Sequence, residues 1–271
     1  MLRADTAPVS TRFILLATQR TGSSWVQEML GSHPGVKVYT ELFLAGARGV
    51  PMWEPSDVEF VNTYWERLAR RPRRLTRNYW TVRYLNRLFD QPHCHAVGFK
   101  YMYDQVPRSP AVLPYAAARR VRVVHLVRHN LLDSVISNQR ALRTGLYHVA
   151  TDDRPPIPWA PSQVDETRIR LDPSQVMREL QRLSHQRRLV RAWLAATRTP
   201  AIEVRYETLA ADPAAFGPVL DFLGVPGGDP TALRSGLKKL RTAPKADVVE
   251  NFSELTAALR GTPFESYARV D

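Results

Sequence analysis

Arg20, Thr21, Gly22, Ser23, Ser24 and Trp25 form a short polar turn between an apolar run and a helical pattern, and their types suit an anion. A chain that leaves a strand and enters a helix aims several backbone N–H groups at one point. The helix dipole adds partial positive charge there, so a phosphate or sulfate is the natural guest. Arg20 supplies a full charge, and Thr21, Ser23 and Ser24 supply hydroxyl donors. The turn lacks the Gly-Lys-Ser/Thr ending of a Walker loop and the three spaced glycines of a dinucleotide fingerprint.

A second run, Val121 to Ser137, brings Arg128 to the carboxyl end of an apolar strand, with Ser137 about two turns into the helix that follows. Two readings of it stay open. Arginine grips phosphate with parallel hydrogen bonds and a nearby hydroxyl completes the cradle; alternatively Arg128 caps the sheet edge and Ser137 bonds back to its own turn. Two anion sites at neighbouring strand ends suit one ligand with two separated phosphates. His93-Cys94-His95 is too tightly spaced to share one tetrahedral metal ion, and no second Cys/His group follows, so no metal site is expected. His125 sits inside a strand pattern and reads as a core residue rather than a catalyst.

Positioning these residues takes a layered fold. Apolar β-type runs occur at Phe13 to Ala17, Ala96 to Phe99, Arg122 to Val127 and Ala201 to Val204. Helical spacing marks Ser24 to Ser32, Asp57 to Arg70, Tyr79 to Phe89, Leu131 to Leu142, Ser174 to Ala196 and Ala214 to Leu223. Strands alternating with helices predict an α/β fold, a mostly parallel β-sheet flanked by helices on both faces. Ligands of such sheets sit at the carboxyl ends of the strands, where the Gln19–Ser24 turn, Lys100 and Arg128 are all expected. The 271 residues are read as a single domain, with a proline-rich loop at about 148–172 (Pro155, Pro156, Pro158, Pro161) as a candidate lid.

The net charge of +12 admits a nucleic acid, an anionic surface or a polyanionic small ligand. The arginine cluster Arg67, Arg70, Arg71, Arg73, Arg74 and Arg77 is either a solvated helix end or a docking patch for an acidic acceptor or carrier protein. No helix-turn-helix, zinc finger or RNA-binding motif is visible, so nucleic acid is not expected. No eighteen-residue apolar stretch marks an integral membrane segment, and no signal-peptide core occupies Met1 to Thr11. With a single cysteine, Cys94, the expected location is cytoplasmic.

Together the two runs resemble the sulfotransferases that use 3′-phosphoadenosine 5′-phosphosulfate (PAPS). Arg20-Thr21-Gly22-Ser23-Ser24-Trp25 is similar to the family's 5′-phosphosulfate loop, with Arg20 where many members have lysine. Arg128 and Ser137 match the family's 3′-phosphate pair, spaced by nine positions here against eight in many members. Val204-Arg205-Tyr206-Glu207-Thr208-Leu209 and Phe222-Leu223-Gly224-Val225 resemble its late strand and helix end. Ser32-His33-Pro34, Glu41-Leu42-Phe43, Val97-Gly98-Phe99-Lys100, Asn251-Phe252 and Leu259-Arg260-Gly261-Thr262 resemble bacterial members related to trehalose and nodulation-factor sulfotransferases.

The resemblance implies the P-loop-like sulfotransferase fold and transfer of a sulfuryl group from PAPS to a hydroxyl, or less readily an amine, of a small-molecule, sugar or lipid acceptor, leaving adenosine 3′,5′-bisphosphate (PAP) and needing no metal. Arg20, Thr21, Gly22, Ser23 and Ser24 then hold the 5′ end, Arg128 and Ser137 the 3′-phosphate, and Tyr206 and Lys239 join the donor-binding set. Trp25 either stacks on adenine or packs its helix. Glu41 stands where bacterial relatives have a base, its other reading being a plain loop carboxylate; Lys100 either meets the sulfuryl oxygens or is a strand-end lysine in water. A homo-oligomer or a carrier-bound acceptor is compatible with this reading. The alternatives from other classes are a phosphate-loop kinase, which the missing Walker lysine opposes, and a basic nucleic-acid-binding protein.

Overall fold

The computed structural model describes residues 10–44, 74–90, 94–145, 168–227, 229–237 and 243–269. They fall into two compact units, drawn from Met1–Thr18, Gly22–Val127 and Leu194–Ser235 for the first and from Gln19–Thr21, Arg128–Trp193 and Gly236–Asp271 for the second.

The first unit is built on five strands: β1 (Thr11–Ala17), β2 (Val36–Tyr39), β3 (Ala96–Met102), β4 (Arg122–Val127) and β5 (Ala201–Arg205). Their order is β2-β3-β1-β4-β5, and every pairing is parallel. All of β3 and residues 13–17 of β1 are buried, as strands covered on both faces must be. On one face Phe13, Leu15 and Ala17 pack with Val26, Met29 and Leu30 of helix α1 (Ser23–Gly31). Each of these side chains except Ala17 contributes about 2 kcal/mol by leaving water. On the opposite face Phe99 and Tyr101 meet Phe43, and Phe89 stacks on Tyr115, the latter in helix α3 (Val112–Ala118). Gly98 lies opposite Phe13, and a Cβ there would come within 2.6 Å of the Phe13 ring and carbonyl oxygen, so only glycine lets the two strands pair.

After β1 the chain leaves toward the β2 edge, whereas after β3 and β4 it leaves toward the β5 edge. The carboxyl end of β1 is therefore a topological switch point, where open α/β sheets take their ligands.

The second unit packs helix α4 (Leu131–Thr144) and the Pro173 end of α5 (Pro173–Ala196) against the C-terminal segments, around Leu132, Ile136, Leu180, Val249 and Leu255. The Asn130 side chain caps α4 by accepting from the Leu132 N–H at 3.1 Å, and Gly145 at φ 71° ends it. Asn251 exchanges two hydrogen bonds with the backbone of Leu171, at 3.0 and 2.8 Å, as a strand neighbour would.

The parallel sheet and its flanking helices match the sequence expectation, with some differences. β2 was not expected; it is an edge strand of four residues, too short to show a pattern. The helix expected over Tyr79 to Phe89 spans α2 (Arg74–Leu88), and the one expected over Leu131 to Leu142 continues to Thr144. The stretch Ala214 to Leu223 is not one helix: Pro213–Phe216 is a 3₁₀ turn and an α-helix starts anew at Gly217–Leu223, with Pro218 in its first turn. The helix expected over Asp57 to Arg70, four of the six clustered arginines (Arg67, Arg70, Arg71 and Arg73) and most of the proline-rich segment lie outside the described residues, while Arg74 and Arg77 fall in α2.

Candidate active site

In the first unit the turn after β1 enters α1 through Gly22, whose φ of 84° puts it in the left-handed region. Tyr206 explains why no other residue fits: a Cβ on Gly22 would lie 2.3 Å from its ring. Tyr206 follows β5 directly and opens a short helix over Tyr206–Ala211. Trp25 sets its ring edge-on to Tyr206 at 5.8 Å and to Phe216 at 5.7 Å. The first intrahelical bond of α1 runs from the Val26 N–H to the Gly22 carbonyl. The N–H groups of Ser23, Ser24 and Trp25 are thus the unshared donors of the helix start, at its positive pole.

Lys100 serves this helix start from β3. Its ammonium donates to Ser24 Oγ at 2.8 Å and pairs with Glu41 Oε1 at 3.2 Å. Glu41 lies two residues past β2, and β2 pairs with β3 at Tyr39 and Phe99, so register alone brings Glu41 alongside this part of β3. Gln105 completes the arrangement by donating from Nε2 to Glu41 Oε2 at 2.8 Å. Its own Oε1 accepts the Met102 N–H, which fixes which end of the amide faces Glu41. Lys100 is not a strand-end lysine in water. β3 runs on to Met102, and Lys100 is only 3% exposed, its desolvation offset by the carboxylate and the hydroxyl. Glu41 likewise is not a plain loop acid, since both its oxygens are engaged.

In the second unit Arg20 adopts φ 61°, a left-handed conformation that costs a non-glycine residue about 1–2 kcal/mol. Its carbonyl is clasped by Arg128 Nη1 at 3.2 Å and by Ser134 Oγ at 3.3 Å. Its Nε donates to Ser137 Oγ at 3.1 Å. Arg128 Nη2 donates to Asp133 Oδ2 at 3.3 Å, and Lys245 Nζ lies 3.8 Å from Asp133 Oδ1. Thr21 is fully buried. Arg20, singled out apart from the pair Arg128 and Ser137 in the sequence, therefore joins them in one cluster of cationic and hydroxyl groups.

His125 is 1% exposed, with Glu203 at 3.1 Å from Nδ1 and the Tyr103 hydroxyl on Nε2, the buried sheet residue its sequence position suggests. Lys239 and His93 lie outside the described residues. Among the described residues no group of three or more His, Cys, Asp or Glu could hold a metal ion, and no helix is long and apolar enough to cross a membrane. Sequence reasoning did not single out Gln105, Asp133 or Ser134. Asp133 and Ser134 do carry a signal, as polar residues inside the apolar start of α4.

The model of the sulfotransferase family matches residues 13–229. Among solved structures, the sulfotransferase domain from the curacin biosynthetic pathway is 17% identical, with 96% of this chain and 89% of that one covered at a TM-score of 0.50. A sulfotransferase from Alicyclobacillus acidocaldarius is 16% identical over 96% and 99% of the two chains, with a TM-score of 0.44. Mouse sulfotransferase SULT7A1, solved with PAP, is 14% identical over 97% and 90%, with a TM-score of 0.41. No curated protein matches the chain. With four-fifths of its length under that family model, and with a parallel sheet whose switch point ends in an anion-suited turn, the chain belongs to the sulfotransferase family.

Proposed function

We propose that the chain moves the sulfuryl group of PAPS to a hydroxyl, less readily an amine, of a small-molecule, sugar or lipid acceptor, free or carried, and releases PAP. The observation that carries this reading is the contact of Lys100 with both Ser24, at the start of α1, and Glu41. One ammonium then links an anion-suited helix terminus to a carboxylate able to take a proton.

In this reading the N–H groups of Ser23, Ser24 and Trp25, with Arg20, Thr21 and the Ser23 and Ser24 hydroxyls, take the 5′ end of the donor. Trp25 and Tyr206 serve the adenine side. Arg128 and Ser137 take the 3′-phosphate, joined by Lys239. The acceptor oxygen attacks sulfur in line, its O–S bond forming as the S–O bond to the 5′-phosphate breaks and the electron pair leaves with PAP. The acceptor proton passes to Glu41, and Lys100 stabilises charge on the sulfuryl oxygens. The single cysteine supports a reducing, cytoplasmic setting.

Calorimetric titration with adenosine 3′,5′-bisphosphate tests the donor. Binding on the order of millimolar or tighter is expected, with a clear loss in Arg128→Ala. No heat and no thermal shift from the wild-type chain would refute it. A mass-based transfer screen against hydroxylated metabolites tests the acceptor, with Glu41→Gln expected to keep bisphosphate binding and lose about 10²–10⁴ in turnover.

A further inference from the structure

Gln27 is 5% exposed, yet its Oε1 meets no donor among the described residues. A buried polar group left unmet is costly to the fold, so one that persists calls for a task outside folding. Gln27 stands four residues after Ser23 and three after Ser24 in α1, so the three share one flank of the helix. A helical side chain leans back over the preceding turn, which carries the Gln27 amide toward the helix start. On the same flank the Lys100 ammonium reaches Ser24 Oγ at 2.8 Å and leads on to Glu41 at 3.2 Å. All of these residues belong to the first unit. Gln105 gives the contrast, since the two ends of its amide are fixed by the Met102 N–H and by Glu41. Among the described residues no such pair of bonds fixes the Gln27 amide, and either end can face the helix start.

Resting on the donor reading above, we infer that Gln27 contacts the group in transfer, its Nε2 donating to a sulfuryl oxygen of PAPS. In-line transfer sets the sulfuryl group between the leaving 5′-phosphate at the start of α1 and the acceptor oxygen at Glu41. That is the flank Gln27 shares with Ser24. A hydrogen bond to an anionic oxygen is among the stronger kinds, and a neutral amide supplies it without a further charge beside Lys100. PAP has no sulfuryl group and leaves this donor unused. Gln27 therefore tells the loaded donor from the spent one and favours release of the product.

Calorimetric titration of the full chain with PAPS and, separately, with PAP tests this. Gln27→Met keeps the length of the side chain and removes the donor. It is expected to weaken PAPS binding about 10- to 100-fold, the worth of a hydrogen bond to a charged group, and to leave PAP within about twofold of wild type. Its ligand-free Tm should rise by about 2–4 °C, because an unmet buried amide gives way to an apolar chain. Gln27→Glu has the shape of glutamine and no donor, and should also lose more affinity for PAPS than for PAP. Should Gln27→Met not fold, that second variant decides alone. Equal weakening of both nucleotides, as a purely structural role would give, overturns the inference. So does unaltered PAPS binding, and so does a lowered Tm in Gln27→Met, which would mean that the amide has its partner within the fold. The donor reading fails separately, if the wild-type chain binds neither nucleotide.

Discussion

Gln105 holds Glu41 with an amide that cannot turn around. Its Oε1 is committed to the Met102 N–H, so Nε2 must face Glu41 Oε2, while Lys100 takes Oε1. Lys100, Met102 and Gln105 belong to one short stretch of chain, so the carboxylate is gripped by a single rigid segment leaving β3. In the proposed reaction, a base held this way keeps one orientation.

Gln105→Ala is therefore expected to lower kcat about 10- to 100-fold by letting the carboxylate drift, while donor binding stays at the wild-type value. In a Glu41→Gln background the same substitution should cost nothing further, since it acts through the carboxylate. Kinetics with an acceptor found by the transfer screen, run for the four members of this cycle, decide the matter. An equal further loss in the Glu41→Gln background would show that Gln105 matters only for folding.

Gly22→Ala forces a side chain into the left-handed region and against the Tyr206 ring. A loss of about 1–2 kcal/mol is expected from the backbone alone, lowering Tm by about 2–8 °C in a chain of this size. Bisphosphate affinity should fall with it, because the N–H groups that follow Gly22 are re-aimed. Differential scanning calorimetry with and without bisphosphate reads both effects. An alanine variant with wild-type Tm would mean that Tyr206 gives way freely.

Asn251→Ala strands the buried N–H and carbonyl of Leu171. The expected cost is about 2–3 kcal/mol, the penalty for leaving such groups unmade, read as a lower urea midpoint. Asn251→Asp keeps the acceptor but sets a buried carboxylate against the Leu171 carbonyl and the Glu254 carboxylate, so at neutral pH its midpoint should lie at least as low. Equal midpoints for all three chains would show that other groups satisfy Leu171.

Much of the scaffold was legible because the residues that build it announce themselves. Phe13 to Ala17 is an unbroken apolar run followed by Gly22 and two serines, and strand, turn and helix follow in that order. Arg128 and Ser137 were legible as a pair because a strand end and the first turns of the helix that follows it lie close in sequence. What could not be read is contact across the chain. Arg20 reaches Ser137 over 117 positions, Gln105 reaches Glu41 over 64, and no periodicity links such residues. β2 escaped notice because four residues at a sheet edge need little apolar surface. That Lys245 is 2% exposed could not be read either, because sequence reports charge and is silent on burial.

The two donors on the Arg20 carbonyl change what an experiment on Arg128 measures. Truncating Arg128 deletes a clasp on a contorted loop as well as a charge, so alanine will overstate what the guanidinium alone gives the proposed nucleotide. Lysine at this position, which restores the charge without the forked geometry, separates the two contributions. The gap between those variants measures how far the arginine works as carpentry and how far as electrostatics.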